Sequence, residues 1–305
     1  MRALVSRPDA PFAEMAEVPD PAPLPGEAVV AVHAFSLNRG ECNRLRTMSP
    51  GTDAGWDLAG EVVRAAADGT GPGVGARVVG LVLSGAWAEH VAVPTEFLAE
   101  LPDGISYAQA AALPVAGLTA LRSLEQGGFV LDKRVLVTGA SGGVGRFAIQ
   151  LAHLAGARVT AVARRTAGLA ELGAEEVLSE LEPEGSNFAV ILDAVGGPVL
   201  GTCLQRVAPG GTVVSFASTV TDPVSYPTRS LFSRAPGARL YGLYIFAELQ
   251  HTRSASADLR RLAELVASGR LDPQIDVTES WERAAEAIQA LLERRVSGKA
   301  VLTVD

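Results

Sequence analysis

Hydrophobic and polar positions divide the chain into two textures. Up to residue 100, the short β-like runs 27–35, 58–63, 76–82 and 86–93 are broken by Pro, Gly and Asp, which predicts a compact β-rich unit. From about Ser106 an Ala-rich helical stretch begins, followed by short apolar runs alternating with helical periodicity. The runs are 135–138, 159–163, 189–192, 212–216 and 239–246. Each is apolar throughout, as a strand buried on both faces is, so they predict a parallel sheet covered by helices. Past Phe246 come two helical patterns, the second carrying Trp281, Ala285, Ile288 and Leu292, and a last strand over 299–304. The parallel sheet already has its complement of strands, so the last strand is expected to rejoin the β-rich unit. The fold class is therefore α/β, with a doubly wound domain inserted into a β-rich one.

The run 134–152 reads Arg-Val-Leu-Val-Thr-Gly-Ala-Ser-Gly-Gly-Val-Gly-Arg-Phe-Ala-Ile-Gln-Leu-Ala: a strand, a glycine-rich turn, then an apolar-periodic helix. Ala140, Gly142 and Gly145 occupy the three glycine positions of the G-x-G-x-x-G dinucleotide fingerprint. Backbone N–H groups of Ser141, Gly142, Gly143, Val144 and Gly145 are expected to face a pyrophosphate, helped by the positive end of the helix. The next strand ends at Ala163, where NAD-binding units carry the carboxylate that bonds the ribose 2′-OH. Arg164 and Arg165 follow. A carboxylate would repel a 2′-phosphate, whereas a guanidinium fork binds it, so NADPH is the expected cofactor. A ligand-free turn and a solvated arginine pair are the bland alternatives.

The 305 residues, 48% of them hydrophobic, suffice for two domains with substantial cores. A net charge of −8 without a basic stripe argues against nucleic acid and anionic lipid as partners. Two cysteines and four scattered histidines show no disulfide framework or metal-ligand spacing. The first residues lack a secretory h-region, and the longest uncharged stretch, 104–121, contains Ser, Gln, Pro114 and two glycines, which makes it a poor membrane span. A cytoplasmic protein is expected.

Two rival motifs share the glycine turn. Residues 139–143 match G-x-S-x-G, the nucleophile elbow of α/β-hydrolases, with Ser141 as nucleophile. Only His153 and His251 follow it as possible bases, and an elbow requires neither Gly145 nor a long β-rich unit ahead of it. Residues 138–145 also fit the T-G-x-x-x-G-x-G of short-chain dehydrogenases. None of Tyr107, Tyr226, Tyr241 and Tyr244, however, has the lysine four residues later that those enzymes use.

Further landmarks are Ser36-Leu-Asn38, Gly55-Trp-Asp-Leu-Ala-Gly60, Gly75-Ala-Arg-Val-Val-Gly80, Ala111-Ala-Leu-Pro-Val-Ala-Gly-Leu-Thr119, Leu192-Asp-Ala-Val-Gly-Gly197 and Ala208-Pro-Gly-Gly211. Together with the element order they resemble the medium-chain dehydrogenase/reductase superfamily, in its zinc-free quinone oxidoreductase and enoyl reductase branch. The resemblance covers nearly the whole chain. It implies a GroES-like substrate domain over 1–112 and 252–305 and a Rossmann domain over 113–251. The positions of the superfamily's catalytic zinc ligands carry Asn38, Trp56 and Val115, which implies no zinc and hydride transfer to an already electrophilic quinone or α,β-unsaturated carbonyl.

By the same resemblance Asn38 would reach the nicotinamide ribose or the substrate oxygen, and Thr119 would lie near the nicotinamide. Val195, Gly196, Phe216 and Ala217 would wall the cofactor, and Trp56 would line the substrate cleft or belong to the core. Tyr244, read as part of the fifth strand, is a candidate to hydrogen-bond substrate. Tyrosines that many quinone oxidoreductases carry shortly after the Asn38 position and near the adenosine are missing, the second replaced around Ser179 and Glu180. An NADPH-binding member with a non-reductive or non-catalytic role therefore stays open. The run 239–246, from Arg239 to Phe246, is expected to be the exposed last strand and to form a homodimer by edge pairing.

Overall fold

A computed structural model describes residues 1–7, 9, 12–252 and 255–304. The chain forms two compact units, Met1–Leu118 with Leu249–Asp305, and Thr119–Glu248. The first opens with a hairpin, β1 (Arg2–Ser6) and β2 (Ala13–Glu17), which the hydrophobic pattern did not single out. Next come β3 (Glu27–Leu37), α1 (Arg39–Arg44), β4 (Asp57–Arg64), β5 (Arg77–Leu81), β6 (His90–Pro94), β7 (Leu98–Glu100), α2 (Tyr107–Ala111) and α3 (Pro114–Gln126).

The second unit holds β8 (Arg134–Thr138), α4 (Gly143–Leu154), β9 (Arg158–Val162), β10 (Ala174–Leu178), β11 (Phe188–Asp193), α5 (Gly197–Arg206), β12 (Val207–Ser215) and β13 (Arg239–Gly242). The chain then runs through α6 (Ile245–Thr252) and α7 (Ala255–Ala267) to β14 (Ile275–Ser280), α8 (Ala284–Leu292) and β15 (Lys299–Thr303).

In the second unit the strands are all parallel, in the order β10-β9-β8-β11-β12-β13. Numbered from the first strand of the unit this is 3-2-1-4-5-6, the doubly wound arrangement with its switch point between β8 and β11. Central strands β8 and β11 are almost wholly buried, as their unbroken Val, Leu and Ile runs require. The strand β10, Ala-Glu-Glu-Val-Leu, escaped the apolar-run criterion because an edge strand can keep two exposed carboxylates.

The fifth expected strand is corrected. Only Arg239–Gly242 pairs with β12, its side chains are mostly exposed, and Leu240 is 54% exposed. From Ile245 the chain is helical, because Ile245, Phe246 and Leu249 recur at helical spacing and are buried together. The last strand of the sheet therefore has four residues rather than eight, and Tyr244 lies on the connection after it.

In the first unit β15 closes the sheet β14-β15-β3-β4-β5-β7, with β6 also paired to β3. It runs antiparallel to β3 with Ala300 opposite Leu37, so the chain end returns to the first unit, as expected. The core centres on Phe35, stacked on Trp87 at 5.7 Å and edge-on to Trp281 at 6.4 Å. Among the described residues no helix is long and apolar enough to cross a membrane.

Candidate functional site

In the second unit β8 delivers Gly139, at φ +60°, into the turn that opens α4. An added Cβ at Gly145 would lie 2.6 Å from Ala140 Cα and 2.7 Å from the Gly139 and Ala140 oxygens, so helix and strand touch through this glycine. At Gly142 the same atom meets only the Gly139 oxygen, at 3.3 Å, which leaves the mouth of the turn open. The fingerprint's first position, Ala140, is buried, and its N–H donates to the Val162 carbonyl at 3.1 Å.

One expectation is corrected here: the Gly142 N–H donates to the Gly139 carbonyl at 3.0 Å and does not face an anion. The first-turn N–H groups of Gly143, Val144 and Gly145 have no acceptor within their own helix, so this end of α4 presents donors of the kind that suit an anion. Ser141 is half-buried in the turn. His153, the base an elbow would need from this unit, sits about 15 Å further along α4 at 1.5 Å rise per residue, packed beneath Gly173.

Asp193, at the end of β11, ties the neighbouring loop to the turn. Its carboxylate accepts from Thr138 Oγ1 at 2.7 Å, Val195 N at 3.3 Å and Gly196 N at 3.0 Å, and the Ala194 N–H donates back to Thr138 Oγ1 at 3.1 Å. Burial holds this carboxyl above its ordinary pKa, against the hydrogen bonds that pull it down. The next loop is joined in turn: Phe216 N donates to Asp193 O at 3.1 Å and Thr219 N to Val195 O at 2.9 Å, with half-buried Phe216 and exposed Ala217 between them. Val195, Gly196, Phe216 and Ala217 thus stand in one hydrogen-bonded pair of loops at the carboxyl ends of the strands. Truncation in Asp193→Ala leaves two buried donors, Thr138 Oγ1 and Gly196 N, and the part-buried Val195 N seeking acceptors, at about 1–3 kcal/mol for each buried one. We expect a loss of at least about 2 kcal/mol in urea unfolding, together with weaker nucleotide binding; unchanged stability would show that the loops do not depend on this carboxylate.

Ala163 is buried at the end of β9, and Arg164 and Arg165 lie exposed on the bend that follows. The sequence reading missed Arg146. It is 7% exposed on α4, and its guanidinium reaches the Ser141 and Ala167 carbonyls, both at 3.4 Å, so that it bridges the glycine turn and the loop after β9. An arginine on the packed side of an apolar helix was the available signal.

Thr119 is buried within α3, five residues past its start. Tyr244 is 63% exposed, with its ring edge-on to Phe246 at 5.6 Å. It is Tyr241 whose hydroxyl donates to a carboxylate, that of Glu248.

In the first unit Asn38 caps α1 and belongs to a buried polar cluster. Its side-chain Nδ2 donates to Asp57 Oδ2 at 2.7 Å and to Glu41 Oε1 at 3.0 Å, and its Oδ1 accepts from Lys299 Nζ at 2.8 Å. Carboxylates only accept and an ammonium only donates, so the amide orientation is set by chemistry. Both Asn38 donors are committed. In this arrangement Asn38 cannot donate to a substrate oxygen. Asp57 also accepts from Ser36 Oγ at 2.6 Å and from Val115 N, a first-turn donor of α3, at 2.9 Å. Trp56 precedes it and is half-buried, its ring over Gly40, where a Cβ would come 3.1 Å from Cη2.

Two domain families match the chain: "Alcohol dehydrogenase GroES-like domain" over residues 24–103 and "Zinc-binding dehydrogenase" over residues 159–302. A chloroplastic quinone-oxidoreductase of Triphysaria versicolor is 31% identical over 94% of this chain and 92% of its own length. A 2-methylene-furan-3-one reductase of Solanum lycopersicum is 29% identical over 90% of this chain and 71% of its own. The crystal structure of an alcohol dehydrogenase superfamily protein from Novosphingobium aromaticivorans superposes with a TM-score of 0.89 at 30% identity, covering all of both chains. The chain is thus an oxidoreductase with a nicotinamide dinucleotide-binding domain, and it belongs to the medium-chain dehydrogenase/reductase superfamily, in the zinc-free quinone oxidoreductase and enoyl reductase branch.

Proposed function

We propose that the protein is an NADPH-dependent, zinc-independent reductase of quinones or of the conjugated C=C of α,β-unsaturated carbonyls. The observation that carries the cofactor choice is the end of β9, where buried Ala163 takes the place of a ribose-binding carboxylate and Arg164 and Arg165 follow. The first-turn N–H groups of α4 fit a pyrophosphate, and the open mouth at Gly142 gives it room. Arg146 adds a third guanidinium beside the same loop. The bound dinucleotide supplies a hydride, and water supplies the proton. Asn38, with both amide donors committed, can contribute position rather than acid catalysis.

Titration of the protein with NADPH and NADH tests this reading. Arg164→Ala is expected to weaken NADPH binding about 10–100-fold, the worth of one charge-assisted hydrogen bond pair, and to leave NADH unchanged. Equal losses for both nucleotides would sink the 2′-phosphate assignment. One observation favours a second reading, an NADPH-binding protein without net reduction: the Asn38 donors are committed and Tyr244 is exposed, so neither proposed side chain is poised as an acid. That reading predicts binding without NADPH consumption across a panel of quinones and enones.

A further inference from the structure

The Asn38 cluster holds two carboxylates and one ammonium with almost no contact with water: Glu41 is 3% exposed, Asp57 0% and Lys299 2%. With all three ionised, one negative charge would remain buried without compensation, and such a charge is removed most readily by protonating one carboxylate. The hydrogen bonds distinguish the two. Asp57 is saturated, with Ser36, Asn38 and Val115 donating to it and Lys299 Nζ 3.7 Å away. Glu41 accepts twice on Oε1, from Asn38 N at 2.6 Å and Asn38 Nδ2 at 3.0 Å, while its buried Oε2 has no partner. A bare carboxylate oxygen in that position is far more costly than a carboxylic acid hydroxyl.

We propose that Glu41 is held as the neutral acid, with its proton on Oε2, and that this proton keeps Lys299 on the Asn38 carbonyl. Glu41 and Lys299 are then positioning residues for the Asn38 amide. The consequence for the nucleotide rests on the reading, given above, that Asn38 meets the ribose.

Burial and the neighbouring Asp57 charge both push the Glu41 carboxyl up, and they outweigh the Asn38 hydrogen bonds and Lys299. Among the described residues its charged and titratable neighbours are these. Asp57 comes from β4 and Lys299 from β15. On α1 itself the Cys42 thiol is pushed up by burial and by Glu41, and Arg39 turns its guanidinium onto the Leu291 and Leu292 carbonyls of α8. The α8 acid Glu286, and Glu293 just after that helix, face solvent. Ionising Glu41 places a second negative charge in competition for Lys299, whose ammonium then leaves Asn38 Oδ1 and frees the amide to turn.

The sign of the pH dependence follows from proton counting. In the unfolded chain a glutamate ionises near about 4.3, and in the folded protein Glu41 ionises higher. Between the two values the native state binds the extra proton, so stability falls as pH rises and levels off above the folded pKa. Glu41→Gln imitates the protonated acid. Relative to the variant, the wild type should lose about tenfold in its folding equilibrium constant per pH unit inside that window, read by urea unfolding from about pH 5 to 8. In the wild type NADPH affinity should fall as pH rises through the folded Glu41 pKa, where the stability curve levels off, and it should stay level in the variant.

Parallel stability profiles would overturn the proposal. Divergent stability with parallel affinity profiles would overturn the positioning role. If no nucleotide binds at all, the cofactor reading fails while the stability comparison still decides the protonation. Should the variant not fold, carbon-13 titration of the wild-type glutamate carboxyls decides instead: one resonance titrating above the rest supports the proposal, and all titrating in the ordinary range overturns it.

Discussion

Gly145→Val is expected to remove nucleotide binding and to lower stability by about 3 kcal/mol or more, whereas Gly142→Ala should lose binding alone. The difference comes from what each side chain would meet. At Gly145 the new Cβ would press on Ala140 Cα and on two backbone oxygens at 2.6–2.7 Å. None of those atoms belongs to a flexible side chain, so α4 must move off β8, and overpacking a fitted contact costs about 1–3 kcal/mol before the extra methyl groups of valine are added. At Gly142 the nearest atom is 3.3 Å away, and the backbone, at φ −81°, is one any residue adopts. A methyl there points at the space an anion needs. Urea unfolding and NADPH titration of both variants separate the two effects. Stability lost equally in both would mean that the turn is purely structural, and NADPH binding retained in both would remove the anion site from this turn.

Lys299→Met carries the second large effect, an expected loss of about 3–5 kcal/mol, the penalty for removing one partner of a buried ion pair. Its ammonium is the sole cation touching Asp57 and Asn38 among the described residues, and no water-exposed group can replace it. Adding Asp57→Asn should recover part of the stability, because the double variant no longer strands a charge. A loss under about 1 kcal/mol in Lys299→Met would show that the two carboxylates do not depend on it.

Much of the architecture was legible because it rests on local properties. Apolar runs such as Val-Leu-Val in β8 and Val-Ile-Leu in β11 mark strands buried on both faces wherever they occur. Gly139, at φ +60°, and Gly145, where helix meets strand, are needed by the backbone itself. The expected strand 239–246 failed for an equally local reason, since Ile245, Phe246 and Leu249 satisfy a helix face as well as a strand interior. The strand β10 went unseen because an edge tolerates charge.

The site was legible only in part. Asn38, Trp56 and the glycine turn were found as candidates, but the partners that define what Asn38 can do were not. Asp57, Arg146 and Asp193 are charged residues set among apolar neighbours, and that alone was the signal they offered; Glu41, in the polar run Arg39-Gly-Glu-Cys-Asn-Arg44, offered only its place three residues after Asn38. What the sequence by itself determined was the alternation of strands and helices, the glycine-rich turn and the arginines after β9, because each depends on residues within about twenty positions of one another. The tertiary structure alone decided which charges share one buried site. Asn38 and Lys299 lie 261 residues apart and meet because β15 pairs with β3 in the register that sets Ala300 opposite Leu37. Shifting that register by one residue would turn Lys299 to the other face, so the amide orientation at Asn38 is a property of strand pairing and not of any local motif.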